Sequence, residues 1–319
     1  MDKPQQSFRA TILATLGHAP EVIEPGRLHR FSTNDRRSDA AGWCRLFDDL
    51  RGGVFGCHRQ GVSQTWSLAD RASMTREHRA ALARQVANAT TEREAAQRQQ
   101  WARNARRITA MWAQCVPLVP GDPVTLYLKR RGFGGVWPLP ESLRYHRALP
   151  YWHGADKLGT FPAMVAPIIA PDGQTVALHR TYLHADGRKA DVPTVKKLTA
   201  SAGPLAGACI PLHKPARGVL GIAEGIETAL AAWCASGVPT VAAYCASNLA
   251  AWHLPAGVQH LVIFADHDLP GREAADTLRA RALAANLRVN VLTPTDPGND
   301  WCDVWAARGA VLIEAGGAA

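Results

Sequence analysis

Apolar runs alternate with amphipathic stretches in the last third of the chain, from Gly218 onward. The pattern predicts strands at VLGIA, PTVAAY, HLVIFA and LRVNVLT, and helices at GIETALAAWCASG and GREAADTLRARALAANL. Unbroken apolar strands separated by such helices are typical of a parallel sheet with helices on both faces. Residues 218–319 are therefore predicted to form an α/β, Rossmann-like domain with a mainly parallel sheet.

The pattern differs in residues 116–217. TLYLKRRG reads as a short helix stopped by Gly132, and SLRYHR, AMVAPIIA and TVALHRTYLH read as strands. Pro171-Asp172-Gly173 predicts a turn between two of these strands, because glycine readily takes a positive φ. This segment is predicted to be an α+β subdomain.

Two further segments precede it. Residues 1–67 contain HRFSTND, GWCRLFDD and GGVFGCHRQG, which predict short strands and a small β-rich module. Residues 68–115 are dense in Ala, Arg, Gln and Glu and lack Gly and Pro, which predicts one long or broken helix with Ser67 as its N-cap. Its apolar stripe is thin, so we expect it to lie across the surface or to bridge domains.

The composition is that of a soluble globular protein, with 47% apolar and 20% charged residues. No apolar run is long enough to span a membrane, and the N-terminus lacks the apolar stretch of a secretory signal, so we expect a cytoplasmic protein. The seven cysteines include no CxxC pair, which favours reduced thiols over a disulfide framework.

The formal net charge of +9 is unevenly distributed. From Arg71 to Arg107 the chain carries nine arginines and only three glutamates. Such a basic helix suits a polyanion, although a solvated helix face has the same composition. The candidate DNA-binding residues are Arg98, Arg103, Arg106 and Arg107.

Acidic side chains follow three of the predicted strands. Glu224 follows VLGIA, Asp266 and Asp268 follow HLVIFA, and Asp300 and Asp303 lie beyond LRVNVLT. A single Asp at a strand end is usually a turn or cap residue, but ligands bind beyond the carboxyl ends of parallel strands. Carboxylates clustered without His or Cys favour Mg²⁺ or Mn²⁺. All five residues are candidate metal ligands, and Glu224, Asp266 and Asp268 are also candidate catalytic residues.

The strings EGIETALA at Glu224–Ala231 and ADHDLPGREAA at Ala265–Ala275 resemble the Toprim domain, in which a Glu after the first strand precedes a DxDxxG motif. DWCDVW at Asp300–Trp305 resembles the third acidic patch of Toprim domains in mobile-element primases. The resemblance covers about the last hundred residues and implies metal-dependent phosphodiester chemistry on nucleic acid.

The preceding segment resembles the polymerase core of DnaG-type primases of phages and plasmids. The similar strings are YLKRRG, the stretch from Gly159 to Leu183, and KADVPTVKKLTAS. The resemblance implies a DNA primase that uses a single-stranded DNA template and NTPs, with a nucleotide 3′-OH attacking the α-phosphate. The basic residues that would line its template and nucleotide groove are Arg131, Arg180, Lys196 and Lys197.

The resemblance weakens at the N-terminus, where such primases usually carry a zinc ribbon. Residues 1–67 offer His29, Cys44, Cys57 and His58, whose spacing lacks the paired ligands of a zinc ribbon. We therefore expect a degenerate module without zinc. No P-loop motif is present, so a separate replicative helicase is the expected partner.

Two other functions share parts of this pattern. A Toprim nuclease would use the same acidic residues without the segment from YLKRRG to Arg180. A non-catalytic single-stranded nucleic-acid-binding protein would depend on the basic helix alone. A topoisomerase is disfavoured, because the chain is short and has five tyrosines, none in a recognisable cleavage domain.

Overall fold

The computed structural model describes residues 3–34, 40–57, 60–69 and 74–316. Contacts divide the chain into two compact units, an N-terminal unit, Met1–Gln99, and a C-terminal unit, Gln100–Ala319. The finer division into four segments stays a prediction. None of the described helices is both long and apolar enough to cross a membrane.

The N-terminal unit contains a four-stranded antiparallel sheet in the order β1-β2-β3-β4. Its elements are α1 (Lys3–Leu16), β1 (His29–Phe31), β2 (Gly42–Leu46), β3 (Gly52–Cys57) and β4 (Val62–Ser67). Phe8 and Ile12 of α1 are fully buried against the sheet with Phe55. The strands occupy the predicted strings, whereas α1 was not predicted.

The long helix α2 spans Arg76–Ala113, and the division between the two units falls within it. The assignment of Ser67 as its N-cap was wrong. Ser67 is the last residue of β4, where it pairs with Gly52, so its backbone is extended and hydrogen-bonded to a neighbouring strand. Arg71, which contributes to the predicted basic segment, and His58 lie outside the described residues.

A five-stranded antiparallel sheet, in the order β5-β6-β7-β8-β9, forms the first half of the C-terminal unit. Its elements are β5 (Val116–Pro117), α3 (Pro123–Leu128), β6 (Arg144–His153), β7 (Asp156–Ile169), β8 (Thr175–Tyr182) and β9 (Lys196–Leu198). A π-helical turn, Lys129–Phe133, follows α3 and contains Gly132 at φ 90°. The predicted turn is confirmed, since Gly173 has φ 85° and donates to Ala170 O at 2.9 Å.

A four-stranded parallel sheet in the order β11-β10-β12-β13 forms the second half, which confirms the predicted parallel sheet. Its elements are β10 (Val219–Ala223), α4 (Ile226–Ser236), β11 (Thr240–Ala242), α5 (Ala246–Ala251), β12 (His260–Phe264), α6 (Leu269–Ala284), β13 (Arg288–Leu292) and α7 (Trp301–Gly316). Helices α5 and α7 were not predicted.

Helices cover both faces of this sheet, as predicted. Along β12, Leu261 and Ile263 pack with α5 and α6, whereas Val262 and Phe264 pack with α4 and α7. This alternation follows from the two-residue period of a strand. Because both faces are buried, ligands can reach the sheet only at its edges and at the ends of its strands.

Candidate active site

The carboxyl ends of the two central strands bring the first acidic residues together. β10 and β12 are neighbours in parallel register, with Ala223 opposite Phe264. Glu224 follows the first strand directly, and Asp266 comes two residues after the second. The parallel pairing therefore places both side chains at one end of the sheet.

Asp266 has the least compensated carboxylate of this group. Its Oδ1 atom is buried and has no hydrogen-bond partner among the described residues. Burial raises the pKa of Asp266 to about 7, and the charges of Glu224, Asp300, Asp268 and Asp303 add to the effect. The other four predicted acidic residues thus lie close enough to Asp266 to disfavour its ionised form.

The pKa of Glu224 is also raised by its surroundings. Burial and the charge of Asp268 raise its pKa, while a backbone hydrogen bond from Ala246 and the charge of Lys196 act in the opposite direction. Its carboxylate is thus only partly compensated by the protein.

Asp268 also has a structural role. It is the N-cap of α6, and its Oδ1 accepts a hydrogen bond from the Gly271 N–H at 2.7 Å. A Cβ at Gly271 would lie 2.8 Å from both Asp266 O and Asp268 Oδ1. Glycine at the last position of the DxDxxG motif therefore lets the helix approach both aspartates closely.

Asp300 and Asp303 form a reciprocal cap at the start of α7. Asp300 Oδ1 accepts from the Asp303 N–H at 2.8 Å, and Asp303 Oδ2 accepts from the Asp300 N–H at 3.2 Å. Asp303 Oδ1 also lies 4.0 Å from Nη2 of Arg131. Asp300 lines the same cleft as Glu224 and Asp266, which favours Asp300 over Asp303 as a further ligand.

This cleft has a volume of about 260 Å³ and carries opposite charges on its lining. Besides the carboxylates, three cationic side chains line it: Arg131, Lys189 and Lys196. Lys189 was missed, although it opens the KADVPTVKKLTAS string. Glu227 and Tyr244 also line the cleft and were not singled out.

The carboxylate oxygens of the cleft, among them the unpartnered Asp266 oxygen, fit a hard divalent cation. Among the described residues, no three His, Cys, Asp or Glu side chains are gathered closely enough to form a preassembled metal site. The carboxylates therefore converge without closing around a common point.

Residues 219–311 match a family model described as Toprim domain. The C-terminal part of the chain is therefore similar to the Toprim domain. Residues 102–210, which precede this stretch, match a family described as a domain of unknown function (DUF7146). Among curated proteins, none matches the chain significantly.

Several solved structures are similar to the chain at low identity. A DNA primase domain from Pseudomonas aeruginosa is 16% identical with a TM-score of 0.35, over 53% of this chain and 54% of that one. The zinc-binding and RNA polymerase domains of the Aquifex aeolicus primase are 13% identical with a TM-score of 0.38, over 98% and 84%. The primase fragment of the bacteriophage T7 primase-helicase protein is 15% identical with a TM-score of 0.34, over 59% and 68%.

The chain thus spans about half the length of the Pseudomonas domain.

Two of the residues predicted to line the template and nucleotide groove, Arg180 and Lys197, do not line the cleft. Arg180 and Lys197 are directly opposite in the β8–β9 pairing, so they share one sheet face. Arg180 donates to the Tyr182 hydroxyl at 3.1 Å, and Lys197 Nζ lies 4.6 Å from the ring centroid of Tyr151. Lys196 lies on the other face of the sheet and lines the cleft. Arg131 also lines the cleft.

The predicted DNA-binding arginines of α2 do not line the cleft. Arg98 belongs to the N-terminal unit, and the other three belong to the C-terminal unit. All four side chains are exposed: Arg98, Arg103, Arg106 and Arg107.

The residues considered for zinc have other surroundings. Cys44 and Cys57 are buried in the apolar core of the N-terminal unit, and Cys57 Sγ lies 3.3 Å from Thr33 Oγ1. His29 accepts from the Glu24 N–H at 2.9 Å. His58 lies outside the described residues.

Proposed function

We propose that this protein is a DNA primase that synthesises short primers on single-stranded DNA from NTPs. The observation that carries the proposal is the cleft of the C-terminal unit, in which uncompensated carboxylates and cationic side chains share one lining. Carboxylates suit divalent cations, and Arg and Lys suit the phosphates of a nucleotide.

The acidic residues would hold Mg²⁺ or Mn²⁺. Asp266, Glu224 and Asp300 line the cleft, and Asp268 keeps one carboxylate oxygen besides the one that caps α6. A bound divalent cation would neutralise phosphate charge and favour ionisation of the attacking hydroxyl.

The remaining residues of the cleft would bind and orient the nucleotide. Arg131 and Lys189 offer charged donors to the triphosphate, and Lys196 adds a third. Holding the 3′-OH and the α-phosphate in line would supply much of the rate enhancement. Arg180 and Lys197 stay candidates for contact with the template on the other face of the β8–β9 pair.

The assay supplies single-stranded DNA, NTPs and Mg²⁺, and follows product length. We expect short primers from the wild-type chain, and a loss of roughly 100-fold or more for Asp266→Ala and Asp268→Ala. Cleavage of DNA without nucleotide incorporation would replace the proposal with a Toprim nuclease. Binding of single-stranded DNA that survives the Asp266, Asp268 and Glu224 triple-alanine substitution, with no primers from the wild-type chain, would indicate a non-catalytic binding protein.

The proposed setting is replication of a plasmid, phage or other mobile element, with a separate helicase as partner. This setting is tested by measuring whether a replicative helicase encoded nearby stimulates primer synthesis.

A further inference from the structure

The most completely buried acidic residue of the cleft is Glu227, which as a whole residue is 4% exposed. It lies in the first turn of α4, three residues after Glu224. Its Oε1 accepts from the Tyr127 hydroxyl at 2.6 Å, and its Oε2 accepts from Lys196 Nζ at 2.8 Å. Both oxygens are therefore occupied by protein donors.

These contacts set Glu227 apart from the other acids. Burial raises the pKa of Glu227, but Lys196 and Tyr127 outweigh this and keep the carboxylate ionised. In contrast, Asp266 has an unpartnered oxygen and a raised pKa. A carboxylate that is paired with a lysine and accepts a hydrogen bond at each oxygen is less suited to a metal ion than one with an unpartnered oxygen.

Lys196 is the partner that remains accessible. Its side chain is 42% exposed, whereas that of Glu227 is 5% exposed. An ammonium group has three donor hydrogens, so the ion pair with Glu227 leaves others free for a ligand in the cleft. A flexible lysine that is tethered at the cleft wall loses less entropy when it binds a phosphate.

We infer that Glu227 is a positioning residue which, together with the Tyr127 hydroxyl, holds the Lys196 ammonium in place to bind the triphosphate of an incoming nucleotide. Glu227 acts on the ligand only through Lys196. The inference rests on the proposed function, because it assigns the ligand as a nucleoside triphosphate.

Lys189 provides a matched comparison. It lines the same cleft, yet no carboxylate among the described residues lies within ion-pair distance of it. A substitution at Lys189 should also weaken triphosphate binding, but its effect should be independent of Glu227.

The test is a double-mutant cycle with ATP and Mg²⁺ as the probe, read by calorimetric binding. Glu227→Gln should weaken ATP binding about tenfold in the wild-type background, because a charge-assisted contact is loosened. It should have no further effect in a Lys196→Met background and its full effect in a Lys189→Met background. Equal losses in both backgrounds, no loss in the wild type, or no ATP binding by the wild type would overturn the inference.

Thermal unfolding of each variant separates positioning from folding. If Glu227→Gln does not fold, the cycle is repeated with Tyr127→Phe, which removes one of the two contacts that fix the carboxylate. Failure of both variants to fold would make the network purely structural and would also overturn the inference.

Primer synthesis is measured on the same proteins. Coupled ATP binding without primers on single-stranded DNA would reject the proposed primase while leaving the role of Glu227 in place. If primers are made but the Glu227 and Lys196 substitutions affect ATP binding independently, only the role of Glu227 is rejected.

Discussion

Asp266 combines an unpartnered buried oxygen with four acidic neighbours. Removing its charge should therefore stabilise the metal-free protein and abolish the proposed primer synthesis. We expect Asp266→Asn to increase the free energy of unfolding of the C-terminal unit by about 1 kcal/mol, because like-charge repulsion is relieved. Thermal unfolding in EDTA measures the first effect and primer synthesis the second.

The control for this experiment is Asp276→Asn on the exposed face of α6, which should change neither quantity. An Asp266→Asn variant that is less stable than the wild type in EDTA would show that the carboxylate makes a net favourable contact.

His179 should make stability depend on pH. Burial lowers its pKa to about 4 from an ordinary value of 6.5, and its Nδ1 is buried without a hydrogen-bond partner among the described residues. The unfolded chain takes up a proton in this range before the folded protein does, so stability should fall from pH 6.5 toward pH 4. The loss should be on the order of 3 kcal/mol for this residue.

Urea unfolding at pH 7 and pH 4.5 measures this dependence. The difference between the two pH values should be smaller in His179→Gln than in the wild type. A difference of the same size in both proteins would assign the acid sensitivity to other groups.

The sequence predicted the acids of the cleft because each one follows an apolar strand, and parallel strands deliver their ends to one edge. It could not predict Glu227 as a network member, because its partners Tyr127 and Lys196 are far away along the chain. Nor could it separate Lys196 from Lys197, since that choice depends on the register of β9.

At the level of elements, the predicted strands were found wherever apolar periodicity was strong. Helix α1 was missed, although Phe8, Ile12 and Leu16 recur every four residues, as on one face of a helix. Helix α5 has six residues and was too short to show a helical period. Ser67 failed as a cap because pairing of β4 with β3 took precedence over local capping preference.

The π-helical turn contacts α7 through a hydrogen bond and a stacked ring pair, and we expect these contacts to position Arg131 in the cleft. Trp305 Nε1 donates to Gly132 O at 2.9 Å, and its ring stacks on Phe133 with centroids 6.4 Å apart. Trp305→Phe should keep the stacking and lose the hydrogen bond, at a cost of about 1 kcal/mol. We expect a higher KM for NTPs and a smaller effect on kcat, because Arg131 is displaced and the acids are not.

Gly132→Ala tests the same contact from the other side. At φ 90° a side chain is strained, and its Cβ would lie 3.2 Å from Trp305 Cδ1. The variant should lose at least about 1 kcal/mol of stability. A normal KM for NTPs in both variants would disconnect the turn from nucleotide binding.

The arginines of α2 predict salt-dependent binding of single-stranded DNA. Replacing Arg103, Arg106 and Arg107 with Gln should reduce the slope of log K against log salt by about 2, since each phosphate contact contributes about 0.7. Fluorescence anisotropy of a labelled oligonucleotide over a salt series measures it. A matched triple control is provided by three exposed arginines of the C-terminal unit outside α2: Arg272, Arg279 and Arg288.

At the scale of the whole molecule, each unit has cores of its own. Phe8, Phe55 and their neighbours form one in the N-terminal unit, whereas Leu230 and Phe264 belong to the core shared by α4 and the parallel sheet. The sequence indicated this modular organisation, because its residue composition and apolar pattern change along the chain. It could not locate the boundary, because α2 continues through it without a break in helix-forming residues.

Separate cores predict two unfolding transitions, of which a metal ion should shift only one. All five acidic residues belong to the C-terminal unit, so Mn²⁺ should raise the midpoint of that unit's transition alone. At about 100 times its dissociation constant, the ion would add about 2.7 kcal/mol. Differential scanning calorimetry of the full chain, with and without Mn²⁺, measures both midpoints, and a fragment of residues 100–319 assigns them. The shift should vanish in Asp266→Ala, because the carboxylate with the unpartnered oxygen is gone. A shift of the other transition would place the ion in the N-terminal unit, and a shift that survives the substitution would place it away from Asp266.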